Sequence, residues 1–148
     1  MNTFRSLSIV FFGWVFTLGI VACGGDGPKP INFGKDQCAH CRMTVSDARF
    51  ASQLVTAKGR VYNFDDVQCM VAFVEGGGVA REEVAHYYLP DYTNENKLLS
   101  ADRLFLLKSE SLKSPRRGDI AAFASEADLE KVRDIHGGER MTWEDLWK

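Results

Sequence analysis

From Phe50 onward the chain alternates short apolar runs with breaks marked by Gly, Pro and Asp, and the period of each run predicts its element. Residues 50–56 are rich in apolar and β-branched side chains, Lys58-Gly59 supplies a turn, and residues 60–64 alternate polar with apolar, which together predict a β-hairpin. Asp65 or Asp66 is placed to cap a helix. Over Val67–Glu75 the apolar residues Val67, Met70, Val71 and Val74 recur at i, i+3, i+4 and i+7, one face of an α-helix, and Gly76-Gly77-Gly78 stops it. Residues 86–89 predict another strand, closed by Pro90-Asp91, and a polar connection leads to strand candidates at 103–108 and 118–123. Ser125 caps a second helix, with Asp128 three residues on as a short-armed capping box. Its apolar positions Leu129, Val132 and Ile135 run up to Gly137-Gly138. Residues 142–148 read as a terminal helical turn with Trp143, Leu146 and Trp147 as docking residues.

The order repeats. In each half a strand pair ends on Phe, then a cap, a helix and a Gly run: Phe64-Asp65-Asp66 in the first, Phe123-Ala124-Ser125 in the second. The expected fold class is therefore α+β, with two related β-hairpin/helix halves and mostly antiparallel strands.

Ahead of this pattern lies a different composition. Residues 7–22 are uncharged and apolar, Arg5 is the only charged side chain before Asp26, and the stretch has the length of a signal-peptide h-region rather than of a membrane span of about 20 residues. It closes on Ile20-Val21-Ala22-Cys23, which resembles the lipobox of bacterial lipoproteins, with Cys23 as the lipidated residue after cleavage. Residues 24–35 are Gly/Pro-rich and read as a flexible spacer. The expected organisation is a signal peptide at 1–22, a lipid-anchored linker at 23–35 and one compact domain at 36–148. Cleaved or not, the leader predicts a tethered protein outside the cytoplasm. Gly24 stands where an acidic residue often signals inner-membrane retention, so the outer membrane is favoured.

Charge narrows the function classes. The chain carries 18 basic and 20 acidic residues with a formal net charge of −2, and only Arg116-Arg117 are adjacent basic residues, which is no footprint for nucleic acid. No Ser-His-Asp ordering, phosphate-binding Gly loop or catalytic carboxylate pair stands out, so no enzymatic turnover is expected.

Candidate chemistry concentrates in Cys38-Ala39-His40-Cys41-Arg42-Met43. Two thiols and a thioether within six residues form a soft donor set that favours Cu(I) over Mg, Ca or Mn. A c-type haem site would need His directly after the second cysteine, where Arg42 stands. A thioredoxin-like pair would sit at a helix start in a βαβ unit, whereas this motif follows a linker and precedes a hairpin. Structural zinc would need four closed ligands, and only Cys69, His86 and His136 remain, each alone. A Cys38–Cys41 disulfide is the plainest other reading, although acylation of Cys23 leaves an odd number of thiols.

Residues 36–47, Asp-Gln-Cys38-Ala-His40-Cys41-Arg-Met43-Thr-Val-Ser-Asp, followed by Phe50-Ala51 and by Tyr62-Asn63-Phe64-Asp65-Asp66-Val67-Gln68-Cys69-Met70, closely resemble the NosL-like accessory lipoproteins of nitrous oxide reductase. The resemblance spans nearly all of residues 36–123 and implies a periplasm-facing lipoprotein of two related β/α halves. Such a protein would bind one Cu(I) and deliver it for assembly of the copper-sulfur centre of nitrous oxide reductase. Its implied partners are an ABC-type transporter and that transporter's periplasmic partner.

By resemblance Cys41 and Met43 are the strongest metal ligands and Cys38 a second thiol, with a histidine completing the site. His86 is the candidate carried forward, while His40 and His136 stay open. Cys69 and Met70 are possible auxiliary metal ligands whose ordinary role is core packing, and Asp65 and Asp66, hard oxygen donors, suit capping instead. One departure stands out: the family usually has Pro-Met-Gly before the second-half strand, and Ser114-Pro115-Arg116-Arg117-Gly118 lacks that methionine. The alternatives to a copper carrier are a thiol-disulfide protein using Cys38 and Cys41, and a zinc-stapled structural lipoprotein.

Overall fold

The computed structural model describes residues 27–148, so the expected signal peptide and Cys23 lie outside the described residues. A hairpin of β1 (Ser52–Thr56) and β2 (Val61–Phe64) leads into α1 (Val67–Glu75). The chain then returns as β3 (Val84–Asp91) along the other edge of β1, and β4 (Asn94–Ser100) extends the sheet. The second half repeats this plan with β5 (Phe105–Lys108), β6 (Ile120–Phe123), α2 (Glu126–His136) and β7 (Glu139–Met141), which returns along β5. Every pairing is antiparallel, and the sheet orders are β2-β1-β3-β4 and β6-β5-β7. The fold is α+β, and the first three strands of each half share one connection order.

Local chemistry explains these elements. All five residues of β1 are buried, as a strand flanked on both edges requires. Asp66 caps α1 by accepting from the Gln68 N–H at 3.0 Å, and Val67, Met70, Val71 and Val74 turn inward. The helix stops where Gly77 takes φ +79° and donates to the Val74 carbonyl, a backbone state that an L side chain resists. Ser125 caps α2 in the same way, accepting from the Asp128 N–H at 3.1 Å.

Two strands fall outside the sequence expectation. β4 occupies the stretch read as a polar connection, and β7 follows Gly137-Gly138 directly. Both are edge strands, where one side of the ladder faces solvent and apolar alternation is not needed. The turn before β4 is tied by Asp91, which accepts from the Thr93 N–H and hydroxyl.

The first core gathers Leu54, Phe64, Val67, Met70, Val74 and Leu89, with Cys38 and Cys69 among them. A second gathers Phe50, Leu107, Ala121, Phe123 and Leu129. Within the stretch read as spacer, Lys29 exchanges two hydrogen bonds with the buried Gln53 side chain, and Ile31 and Phe33 pack against the first core. Among the described residues no helix is long and apolar enough to cross a membrane.

Candidate metal centre

The sulfur run forms the tip of a small antiparallel turn closed by backbone hydrogen bonds. Val45 N donates to Asp36 O at 2.9 Å, Cys38 N to Met43 O at 2.8 Å, and Arg42 N back to Cys38 O at 3.0 Å. Ala39 N donates to Asn63 O at 2.8 Å, which docks the tip against β2. Arg42 takes φ +66°, a left-handed conformation that non-glycine residues reach at a cost and that lets the chain reverse right after Cys41.

Cys69, the third residue of α1, completes the cluster. The Sγ atoms of Cys38, Cys41 and Cys69 all lie within 4.8 Å of one another, and the three thiols are free. Cys38 and Cys69 are buried, while Cys41 is half-buried and opens the cluster toward solvent. A metal–thiolate bond of about 2.3 Å in a trigonal arrangement separates its sulfurs by about 4 Å, so a three-coordinate ion fits this spacing with little movement.

The electrostatics favour bound thiolate. Hydrogen bonding with the Cys69 side chain, helped by nearby backbone N–H groups, pulls the Cys38 thiol well below its ordinary range against the opposing effect of burial. Cys69 moves the opposite way, pushed up by its hydrogen bond to Cys38, by burial and by the facing sulfurs.

Two aspartates frame the centre. Asp65 and Asp66 are 1% and 0% exposed. Asp65 accepts from the Ser46 N–H at 3.0 Å and pairs with the Arg116 guanidinium at 3.4 Å; Asp66 receives the Arg116 N–H at 3.1 Å and the Ser114 hydroxyl.

The other candidates lie elsewhere. Met43 shares the sulfur turn but is 52% exposed, and its carbonyl rather than its thioether engages Cys38. His40 is exposed at the tip. His86 sits on β3 with its ring 5.8 Å from Tyr88, lining a hollow with Ser100, Asp102 and Trp143, and is not part of the thiol cluster. His136 ends α2 in the second half, where its carbonyl accepts from the Ser109 and Ser111 hydroxyls. Met70, beside Cys69, is wholly buried in the first core. Cys69 was the residue least visible as a donor from sequence, since it joins the turn only through the packing of α1.

The comparisons agree with this architecture. A family model described as NosL matches residues 30–148. The crystal structure of the copper chaperone NosL from Shewanella denitrificans shares the fold, with a TM-score of 0.66 at 17% sequence identity, over 80% of this chain and 96% of that one. No curated protein matches by sequence.

Proposed function

Because the chain belongs to the NosL family, we propose that it is a copper carrier that takes Cu(I) as cargo on Cys38, Cys41 and Cys69 and passes it on by ligand exchange. One observation carries this reading: three free sulfurs within 4.8 Å of one another, one of them open to solvent. Soft thiolates select a soft monovalent ion, and a three-coordinate site leaves room for an acceptor's ligand to enter before the carrier's ligands leave. Met43, exposed two residues after Cys41, is suited to meet the ion or the acceptor at the open side.

The destination we propose is the copper-sulfur centre of nitrous oxide reductase, reached with an ABC-type transporter and its periplasmic partner. The carrier would be held by a lipid on Cys23 at a membrane surface outside the cytoplasm, the outer membrane being favoured. The family membership and the structural likeness to a protein described as a copper chaperone support this.

Titration of the reduced protein with Cu(I) against a competing chelator tests the proposal. One equivalent should be withheld from the chelator. Cys41→Ser and Cys69→Ser should each weaken binding by more than the ~10–100-fold that loss of an outer-shell partner costs. Met43→Ala should slow transfer to an acceptor more than it weakens binding. Reduced wild-type protein that leaves Cu(I) to the chelator would end the proposal. Retention of zinc in place of copper after purification without added metal would favour the structural alternative, and a reversible Cys38–Cys41 disulfide, with Cys69 and Met43 both dispensable, would favour the redox one.

A further inference from the structure

We propose that the 114–118 loop of the second half is the positioning element of the metal centre, with Arg116 and Gly118 holding the Asp65–Asp66 pair that aims Cys38 and Cys69. The proposal rests on the Cu(I) reading above and deepens it by naming residues that touch no metal.

The connection runs through two buried carboxylates. Asp65 and Asp66 lie at 1% and 0% exposure, and a carboxylate so buried must be paired and hydrogen-bonded. The loop supplies much of that partnership. Arg116 sets its guanidinium 3.4 Å from Asp65 Oδ2 and donates its N–H to Asp66 Oδ2 at 3.1 Å, while the Ser114 hydroxyl donates to the same Asp66 oxygen. Asp119 fastens the loop from the other side, accepting from Ser114 N at 2.9 Å and donating its own N–H to Ser114 Oγ at 2.8 Å.

The same two aspartates hold the segments that carry the sulfurs. Asp65 Oδ1 accepts from the Ser46 N–H at 3.0 Å, just after the turn that carries Cys38. The Asp66 carbonyl accepts from Cys69 N at 3.0 Å, and its side chain caps the helix that carries Cys69. A shift of the loop is therefore a shift of the sulfur turn and of the helix that carries Cys69.

Gly118 shows how closely the parts are fitted. A Cβ at this position would fall 2.6 Å from Asp66 Oδ1 and 3.0 Å from Gln68 Cβ, so only glycine lets the loop approach the capped end of α1. The loop is also strained, with Lys113, Arg117 and Asp119 at φ +51°, +56° and +53°. Non-glycine residues stay in such conformations only where their surroundings over-determine them. Groups that orient metal ligands without touching the ion commonly govern affinity.

The test uses the reduced full chain and Cu(I) competition with a chelator. Arg116→Ala and Gly118→Ala should each weaken Cu(I) binding ~10–100-fold, the usual range for an outer-shell partner, and Arg116→Lys should recover part of the loss by restoring the charge. In the metal-free protein, hydrogen exchange at the Ser46 N–H, which donates to Asp65 Oδ1, should accelerate in Arg116→Ala. A cycle supplies the readout that general destabilisation would not move: the Gly118→Ala penalty should shrink in a Cys69→Ser background and persist in a Cys41→Ser background. Wild-type affinity in both alanine variants, or equal penalties in the two backgrounds, would overturn the positioning role. Failure of the wild type to bind Cu(I) would overturn the carrier reading and this proposal together.

Discussion

Arg42 shows how one residue's backbone shapes the centre. Its φ of +66° closes the sulfur turn, with the Arg42 N–H donating back to the Cys38 carbonyl at 3.0 Å, yet an arginine in this region is strained by about 1 kcal/mol or more. Arg42→Gly should therefore raise the unfolding free energy by about 0.5–1 kcal/mol, after the extra chain entropy of glycine is set against the relieved strain, and move the urea midpoint upward. A lower midpoint would show that contacts of the guanidinium hold the turn. Legibility differs among the three sulfurs. Cys38 and Cys41 stand three residues apart, and any turn there brings them close, so their pairing was readable from spacing. Cys69 joins them only because α1 packs its first turn against the sulfur turn. One signal was present: Cys69 lies off the 67, 70, 71, 74 stripe and in the first turn of a capped helix, a place where a thiol meets backbone N–H groups rather than only apolar neighbours. His86 offered no such signal, because a lone histidine on a strand has no local pattern that separates a ligand from a packing residue.

Among the elements, hairpins and helices announced themselves and edge strands did not. α1 matches its predicted span because four apolar residues at helical spacing, an Asp cap and a Gly stop all agree. β4 opens Asn94-Glu95-Asn96-Lys97 and β7 is only Glu139-Arg140-Met141, so each is a strand because a neighbour's backbone pairs with it, which is information held elsewhere in the chain. The duplication was legible as punctuation, and the structure gives it a physical form: β3 and β7 return along β1 and β5 in the same way. Each half thus needs its own helix to cover its sheet. In the second half that cover depends on Leu129, which is fully buried beneath α2 with Phe123 and Leu107. Leu129→Ala should cost about 2–5 kcal/mol in a denaturant melt, as a cavity under a single covering helix. A cost under about 1 kcal/mol, within the range of surface substitutions, would mean that α2 contributes little to that core.

At the scale of the whole molecule, the two halves are bound by more than the loop at 114–118. The end of the chain, beyond β7, crosses back to the first sheet, where Trp143 and Trp147 pack against Tyr87 of β3 with ring centroids 5.2 and 5.5 Å away. Arg81 closes over the Trp147 ring at 4.1 Å, and Leu146 joins the first core. Where the β6 strand passes β3, Tyr92 N donates to Ala122 O at 2.8 Å. A strap of aromatic residues at one end and a carboxylate clasp at the metal centre should make the halves unfold together, because neither can open without exposing apolar rings or stranding buried charge. The sequence holds three tryptophans, and Trp14 belongs to the leader expected to be removed, so the intrinsic fluorescence of the processed chain would report the strap alone. Fluorescence and far-ultraviolet circular dichroism should then trace one urea transition with a common midpoint. If the strap peels away first, fluorescence will change at lower urea while the dichroism of the two sheets persists, and the halves must then be treated as separately stable units. Trp147→Ala sharpens the distinction. In a single cooperative unit it lowers both midpoints equally, since the aromatic contact stabilises the only folded state there is. In a separable one it shifts the fluorescence transition and leaves the dichroism midpoint in place.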